Sequence, residues 1–434
     1  MSDRDDTGTT ETAPPPEPPD DGRTPATAGL PASVAAESLS DYVRMAFARV
    51  RGGESGVLPV VAGLILISVV FQSMNGHFLT AGNLVNLLVQ AAVFSLLAMA
   101  EVFVLLLGEI DLSVGFVAAV GAALMSSALG PHHQWNWFPA VLAALLACAV
   151  IGLIQGTIIT RLGVPSFVVT LAGYLFWEGV LLKILGNGGT VPINNSVIND
   201  IAANNLTPTV SWIVMLVIVG IYGGLVWRRD EKRRRSGLVA PPASITALKV
   251  LAALAGGVAV VLLCNTNRGL FIAIRGVPYV VLLVLAVLAV WSFLLGRTRT
   301  GRYIYAIGGN AEAARRAGIA VANIRTLAFV LCSFTAGIAG VVYASRLQSI
   351  STAVDGGKLV LYAVAAAVIG GTSLFGGRGK AIHGVLGGIV IAAIDNGMGL
   401  VGFTAASQYM VTALVLLVAV IIDAVARRGT AAGF

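Results

Sequence analysis

Charge is scarce in this 434-residue chain: 11% of its residues are Asp, Glu, Lys or Arg, against 57% hydrophobic, where soluble domains carry about 25% charged residues. That shortage excludes an ordinary water-soluble globule. Cysteine is scarcer still. Cys148, Cys264 and Cys332 stand apart within apolar runs, so they supply neither a disulfide framework nor a thiolate metal site. The four histidines, His77, His132, His133 and His383, show no HExxH or zinc spacing, and no metal site is expected. Nucleophile elbows and kinase signatures are missing, so the chain carries no visible catalytic machinery. A phosphate loop is missing too: in Gly376-Gly-Arg-Gly-Lys380, Leu374 stands where the first glycine belongs and Ala381 follows the lysine. The formal charge of +7 sits in short clusters between apolar runs rather than on one aromatic-interleaved patch, which argues against nucleic acid as a partner.

What is abundant is apolar sequence in lengths that cross a bilayer, for which about 20 residues suffice. Candidate spans lie near 57–74, 83–107, 112–130, 138–160, 165–185, 209–227, 245–264, 277–296, 323–345, 359–375, 381–399 and 406–426, about twelve in all. The expected fold is an all-α polytopic bundle with some spans broken by glycine-rich segments. Residues 1–40 are acidic and Pro-rich, too polar to pack and too acidic for a secretory signal, and read as a disordered cytoplasmic tail. Residues 41–56 mix Tyr42, Val43, Met45, Phe47 and Val50 with Arg44, Arg49 and Arg51, as an interfacial amphipathic helix does. The membrane domain then covers 57–428, with a short cytoplasmic tail at 429–434. If the N-terminus is cytoplasmic, most cations, including the Arg228–Arg235 loop, collect on that side, whereas Lys183, Arg268, Arg275, Arg346 and Lys358 fall opposite. This asymmetry places both termini in the cytoplasm.

One polar insert stands out, Gly308-Gly-Asn-Ala-Glu-Ala-Ala-Arg-Arg-Ala-Gly-Ile319. Asn310 suits an N-cap, Glu312 the first turn, Arg315 and Arg316 the last, and Gly318 a left-handed C-cap. Ala313, Ala314 and Ala317 share one side, a smooth face able to enter a groove, with the arginines at its rim. The plain alternative is a capped turn between two spans.

Intramembrane polar groups carry the next signal, because charge at bilayer depth faces a bundle interior or a water path. Asn86, Gln90, Glu101, Glu109, Asp111, Tyr174, Trp177, Glu178, Asp395 and Asn396 are the candidate path residues. Amides and carboxylates bind sugar hydroxyls and aromatic rings stack on sugar C–H faces, although interhelical hydrogen bonding explains any single one equally well. Gly108-Glu-Ile-Asp-Leu-Ser-Val-Gly115 and Gly370-Gly-Thr-Ser-Leu-Phe-Gly-Gly-Arg-Gly-Lys380 share Gly-x3-Leu-x2-Gly, a hint of duplicated halves. The pairs Gly152/Gly156, Gly220/Gly224 and Gly384/Gly388 permit close helix packing.

Together with Phe78–Gln90, Gly163-Val-Pro-Ser-Phe-Val-Val-Thr-Leu-Ala-Gly173 and Thr300–Ile319, these segments resemble the bacterial ABC monosaccharide permeases, in family order from Leu58 to Arg428. The long middle, Asn187–Asn205 with Arg228–Arg235, is most similar to the xylose branch, and Glu109 departs from the usual residue before Ile-Asp-Leu-Ser. The resemblance implies an inner-membrane permease subunit that pairs with a second copy. It would take a monosaccharide, xylose or a related pentose, from a periplasmic or lipid-anchored binding protein. Cytoplasmic ABC ATPase subunits would carry ATP and Mg, leaving this chain without a cofactor and without enzymatic activity. Gly308–Gly318 then becomes the helix on which an ATPase pushes, and Arg268, Arg275, Arg346 and Lys358 become candidate contacts to the binding protein. An ion-coupled secondary sugar transporter using Glu101, Glu178 or Asp395 as proton carrier is the alternative.

Overall fold

The structure, a computed structural model, describes residues 57–186, 189–236, 241–269 and 271–431. The expected tail at 1–40, the interfacial helix at 41–56 and residues 432–434 lie outside them. The described residues form an all-helical polytopic bundle: α1 (Val57–Met74), α2 (Ala81–Leu105), α3 (Val114–Leu129), α4 (Trp137–Arg161), α5 (Ser166–Leu185), α6 (Ser196–Ala203), α7 (Pro208–Arg235), α8 (Ala243–Asn265), α9 (Tyr279–Arg297), α10 (Arg299–Gly309), α11 (Ala311–Arg316), α12 (Val321–Leu347), α13 (Gly356–Ile369), α14 (Ala381–Val401) and α15 (Ala405–Ala431). Two short strands, β1 (Thr190–Pro192) and β2 (Ser349–Ser351), pair antiparallel.

Eight of these helices are long and apolar enough to cross a membrane, and four shorter apolar ones, within α1, α3, α13 and α15, fall on the remaining expected stretches. The two glycine-rich segments account for the shortening. α3 is only 16 residues because Asp111 and Ser113 hold an Asx turn ahead of it, with the Asp111 carboxylate accepting from the Ser113 amide at 2.9 Å. α13 is only 14 residues, not the 359–375 expected, because it terminates at a left-handed Gly371. The basic run expected as a loop is instead the last turns of α7, since Arg, Lys and Glu are good helix formers and Glu231 pairs with Arg235 at i,i+4.

Contacts sort to two ends of the bundle. At one end lie Arg161 with Asn323, Asp230 with Thr246, Glu109 with Arg325 and Tyr305 with Gly379. At the other lie β1 with β2, Asn75 with Leu400, Ser345 with Ala202 and Leu206 with Val277. We call the first the arm end, after α10 and α11, and the second the far end.

α2 is the axis: 83% of its apolar window is buried, against 11% for α7 and α8. α14 packs on it through glycine, for a Cβ on Gly384 would stand 2.6 Å from the Met99 amide and one on Gly388 2.6 Å from Ser95 Cα. A Cβ on Gly156 of α4 would stand 2.9 Å from Thr326 Cα of α12. Gly220 and Gly224 face open space, so that pair is no packing seam; Gly223 between them meets Val250 of α8.

Substituting Gly388 by Val forces this backbone seam apart, at a cost of roughly 3 kcal/mol or more, whereas Gly220→Val is tolerated. Thermal unfolding in detergent separates the two: the first variant unfolds early and the second matches the parent chain.

Candidate functional site

The polar insert and the residues just before it form α10 and α11, and local chemistry sets their shape. Thr298 caps α10 by accepting from the Gly301 amide at 3.2 Å, and Asn310 caps α11 by accepting from the Ala313 amide at 2.9 Å. Glu312 pairs with Arg315 at 2.7 Å and with Arg316 at 3.2 Å. α11 ends in a Schellman motif at Gly318 (φ 82°), with the Gly318 amide donating to Arg315 O and the Ile319 amide to Ala314 O. This termination corrects one expectation. The motif folds Ile319 back over Ala314, which is buried with Ile307 and Val321, so Ala314 belongs to the inner seat rather than to the free face. Glu312, Ala313, Arg315, Arg316 and Ala317 are exposed.

The arm sits on both glycine-rich turns. A Cβ on Gly308 would stand 2.6 Å from the Gly377 amide and also meet Leu106 O, while that amide donates to Leu106 O at 2.9 Å. Gly309 beside it is open. Tyr305 on α10 donates its hydroxyl to Gly379 O at 2.7 Å, and burial pushes its phenol up, so it stays a donor. The two turns share one construction. α2 ends with Gly108 N–H to Leu105 O and Glu109 N–H to Val104 O; α13 ends with Gly371 N–H to Val368 O and Thr372 N–H to Ala367 O. Both are Schellman motifs, so Gly108 corresponds to Gly371. The Gly-x3-Leu-x2-Gly match is therefore one residue out of register, because it aligned Gly370, a right-handed cap residue (φ −66°), with a left-handed one.

From the first turn two groups of polar contacts run inward. Glu109 pairs with Arg325 in the first turns of α12. Asp111 accepts from the Ser113 hydroxyl at 2.6 Å, with Cys332 Sγ 3.7 Å from its other oxygen, and Gln155 of α4 donates to Ser113 Oγ at 2.9 Å. Glu101, wholly buried, lies beside Asp111 and Cys332 and has no side-chain hydrogen-bond partner.

A second polar group gathers toward the far end, on α13, α14 and α15. Lys358 Nζ lies 3.0 Å from Asp395, donates to Gln408 at 3.2 Å and stands 5.2 Å over the Tyr362 ring. Tyr362 donates to Asp395 at 2.7 Å and packs edge-on against Phe94. Asp355 caps α13 by accepting from the Lys358 amide at 2.8 Å, and its other oxygen accepts from the Tyr409 hydroxyl. The Tyr174 hydroxyl reaches over Gly357, with Phe116 edge-on at 4.7 Å. About a quarter of both the Lys358 and the Asp395 side chain stays exposed, so this charge pair opens on a surface of the single chain.

The candidate path residues thus divide. Tyr174 and Asp395 join the far group, Glu101, Glu109 and Asp111 lie in the arm-end groups, and Glu178 is half-buried on α5 beside Tyr174. Asn396 accepts from Asn83 of α2 at 2.8 Å, Gln90 is buried, Asn86 is exposed, and Trp177 packs against Phe176. Of the outward cations, Lys358 turns into the far group instead of remaining free, and Arg346 is half-buried near Asp395. Arg268 closes its own loop on Cys264 O, Asn205 and Gly276 O, leaving Arg275 exposed. Sequence reasoning passed over Asp355, Tyr362 and Gly308's seat. Asp355 ahead of two glycines and an apolar run was a readable N-cap signal; Tyr362 inside that run gave none. Among the described residues no three metal-ligating side chains converge.

The family described as "Branched-chain amino acid transport system / permease component" matches residues 83–420. The Xylose transport system permease protein XylH of Escherichia coli (strain K12) is 35% identical over 395 residues, which cover 87% of this chain and 95% of that one. The same-named protein of Haemophilus influenzae is 35% identical over 84% of this chain and 96% of its own length. The Ribose import permease protein RbsC of Escherichia coli (strain K12) is 31% identical over 84% and 92%. No solved structure matches the chain.

Lys358→Met leaves Asp395 without its counter-ion and costs about 1–3 kcal/mol, the partial exposure placing it below a fully buried pair. The double variant Lys358→Met with Asp395→Leu recovers most of that loss. Melting temperatures of the two variants in detergent check this; equal destabilisation would show that the pair is not coupled.

Proposed function

The chain belongs to the permease family described as branched-chain amino acid transport system permease components, and from that premise we propose that it is the membrane subunit of an ABC importer for a monosaccharide. The sugar class follows the two named sets of relatives, and the greater identity to the xylose permeases than to the ribose ones favours xylose or a related pentose. The bacterial inner membrane is the site of action, with the arm end in the cytoplasm, where the bulk of the cations falls.

One observation carries the coupling: α11, capped at both ends, follows directly on Gly308, which rests on both helix-breaking turns, while Ala313, Ala317, Arg315 and Arg316 are exposed on its outer side. A push on that side passes by backbone contact to the ends of α2 and α13. The occupant is a cytoplasmic ATPase subunit holding ATP and Mg, with Arg315 and Arg316 meeting its acidic groups. α2 and α13 in turn lead to the far-end group, where Asp395, Gln408, Tyr362, Tyr409 and Tyr174 combine acceptors, donors and aromatic faces suited to a sugar's hydroxyls and C–H surface. An ion pair opening on the side of a membrane bundle needs water or protein over it. A second copy of the chain meeting this face supplies both, and encloses the path. Of the four candidate contacts to a sugar-binding protein, Arg275 is the exposed one.

Reversing both charges, Arg315→Glu with Arg316→Glu, lowers sugar-stimulated ATP hydrolysis roughly tenfold or more in proteoliposomes holding permease, ATPase and binding protein. The melting temperature stays close to that of the parent because both side chains are exposed. Full stimulation in the variant contradicts the coupling role, and uptake that follows an ion gradient with ATP maintained contradicts the importer reading.

A further inference from the structure

The basic run at the end of α7 does more than orient the chain. Its side chains line, with the end of α9, an open cavity of about 380 Å³ bordered by Arg228, Arg229, Lys232, Arg233, Ser236 and Arg297. Five of the six are cations and none is an acid. The acids of the run are engaged elsewhere: Asp230 turns away to accept from Thr246 of α8 at 2.9 Å and from Arg229 Nε at 3.0 Å, and Glu231 pairs with Arg235 at 2.9 Å. Arg228, Lys232, Arg233 and Arg297 have no acidic partner within ion-pair distance among the described residues.

Depth says what such a cavity meets. The apolar part of α7, Pro208–Trp227, rises about 30 Å, the thickness of the hydrocarbon core, and Arg228–Arg235 rises about 12 Å beyond it, at headgroup level. Trp227 is exposed at that boundary under the Arg234 guanidinium, 5.8 Å from its ring centre, as an interfacial tryptophan is placed. α7 and α8 bury little of their surface against the rest of the chain, so acyl chains can lie along the same two helices whose ends hold the cations.

We propose that this cavity binds the phosphate headgroup of an anionic phospholipid of the leaflet at the arm end, and that a two-phosphate lipid such as cardiolipin fits best, one phosphate facing the α7 cations and the other near Arg297. Arginine suits the role because its planar fork meets phosphate oxygens in pairs. Arg297 closes α9 and Thr298 caps α10, so a lipid held there sits next to the root of the arm.

The full-length chain, reconstituted in phosphatidylcholine nanodiscs with cardiolipin as the sole anionic lipid, is extracted and its retained lipid counted by native mass spectrometry. The variant R228Q/K232Q/R233Q/R297Q retains roughly tenfold less cardiolipin or lower. R161Q/R299Q/R378Q/K380Q, which removes the same charge elsewhere at the arm end, retains the parental amount, and R228K/R233K/R297K, which keeps the charge but not the fork and checks folding, retains more than the first variant. Equal retention by the first variant and the parent overturns the proposal, as does equal loss from the two glutamine variants. Displacement of the lipid by millimolar inorganic phosphate assigns the cavity to a free anion and overturns it too. Loss of ATPase-subunit capture with lipid retention unchanged assigns the cations to that protein and likewise overturns the lipid site.

Discussion

Three backbone segments meet at the arm end with no side chain between them: Gly308 on α10, Leu106 after α2 and Gly377 after α13. The rest of the arrangement depends on that contact. A side chain at Gly308 would drive the arm off both turns at once, and without the seat α11 would be a short capped helix held only by the packing of Ala314 on Ile307 and Val321. With the seat in place, the two helices that end in matching Schellman turns share a single bearing surface. Close backbone contact is stiff, so displacement at α11 has to move the turns or break the hydrogen bond between them.

The membrane imposes the second constraint, on where polar groups can lie. Near the arm end Glu109 satisfies Arg325, and Asp111, Ser113 and Gln155 satisfy one another, while Lys358, Asp395, Tyr362, Gln408, Tyr409 and Asp355 do so toward the far end. α2 and α14, locked by their glycine seam, run between the two. The arm-end contacts tie the first turn to α12, and the far-end group leaves part of the Lys358–Asp395 pair exposed on the single chain, where the proposed function places the sugar. On the proposed reading, this separation into layers means that a push at the arm end reaches the far-end group only through helix movement.

Much of this was legible in the chain itself. Hydropathy located all twelve apolar segments, and the cap residues Asn310 and Gly318 were readable because capping is local chemistry. Where the reading failed, the missing information was tertiary. Ala314 looked equivalent to Ala313 until the fold of Ile319 covered it. Gly220 and Gly224 had the right spacing, but their seam had no partner helix. Lys358 looked like a free outward cation because its counter-ion, Asp395, is remote in sequence and adjacent only through α13 against α14. The repeat was one residue out because chirality at Gly371, not residue identity, marks the true equivalence.

The most direct test replaces Gly308 by Val and measures ATP hydrolysis and radiolabelled xylose uptake together, in proteoliposomes containing the permease, its ATPase and its binding protein. Unseating the arm should leave hydrolysis running while uptake falls by roughly tenfold or more. Uptake at the parental rate with the valine in place would mean that force does not pass through this contact.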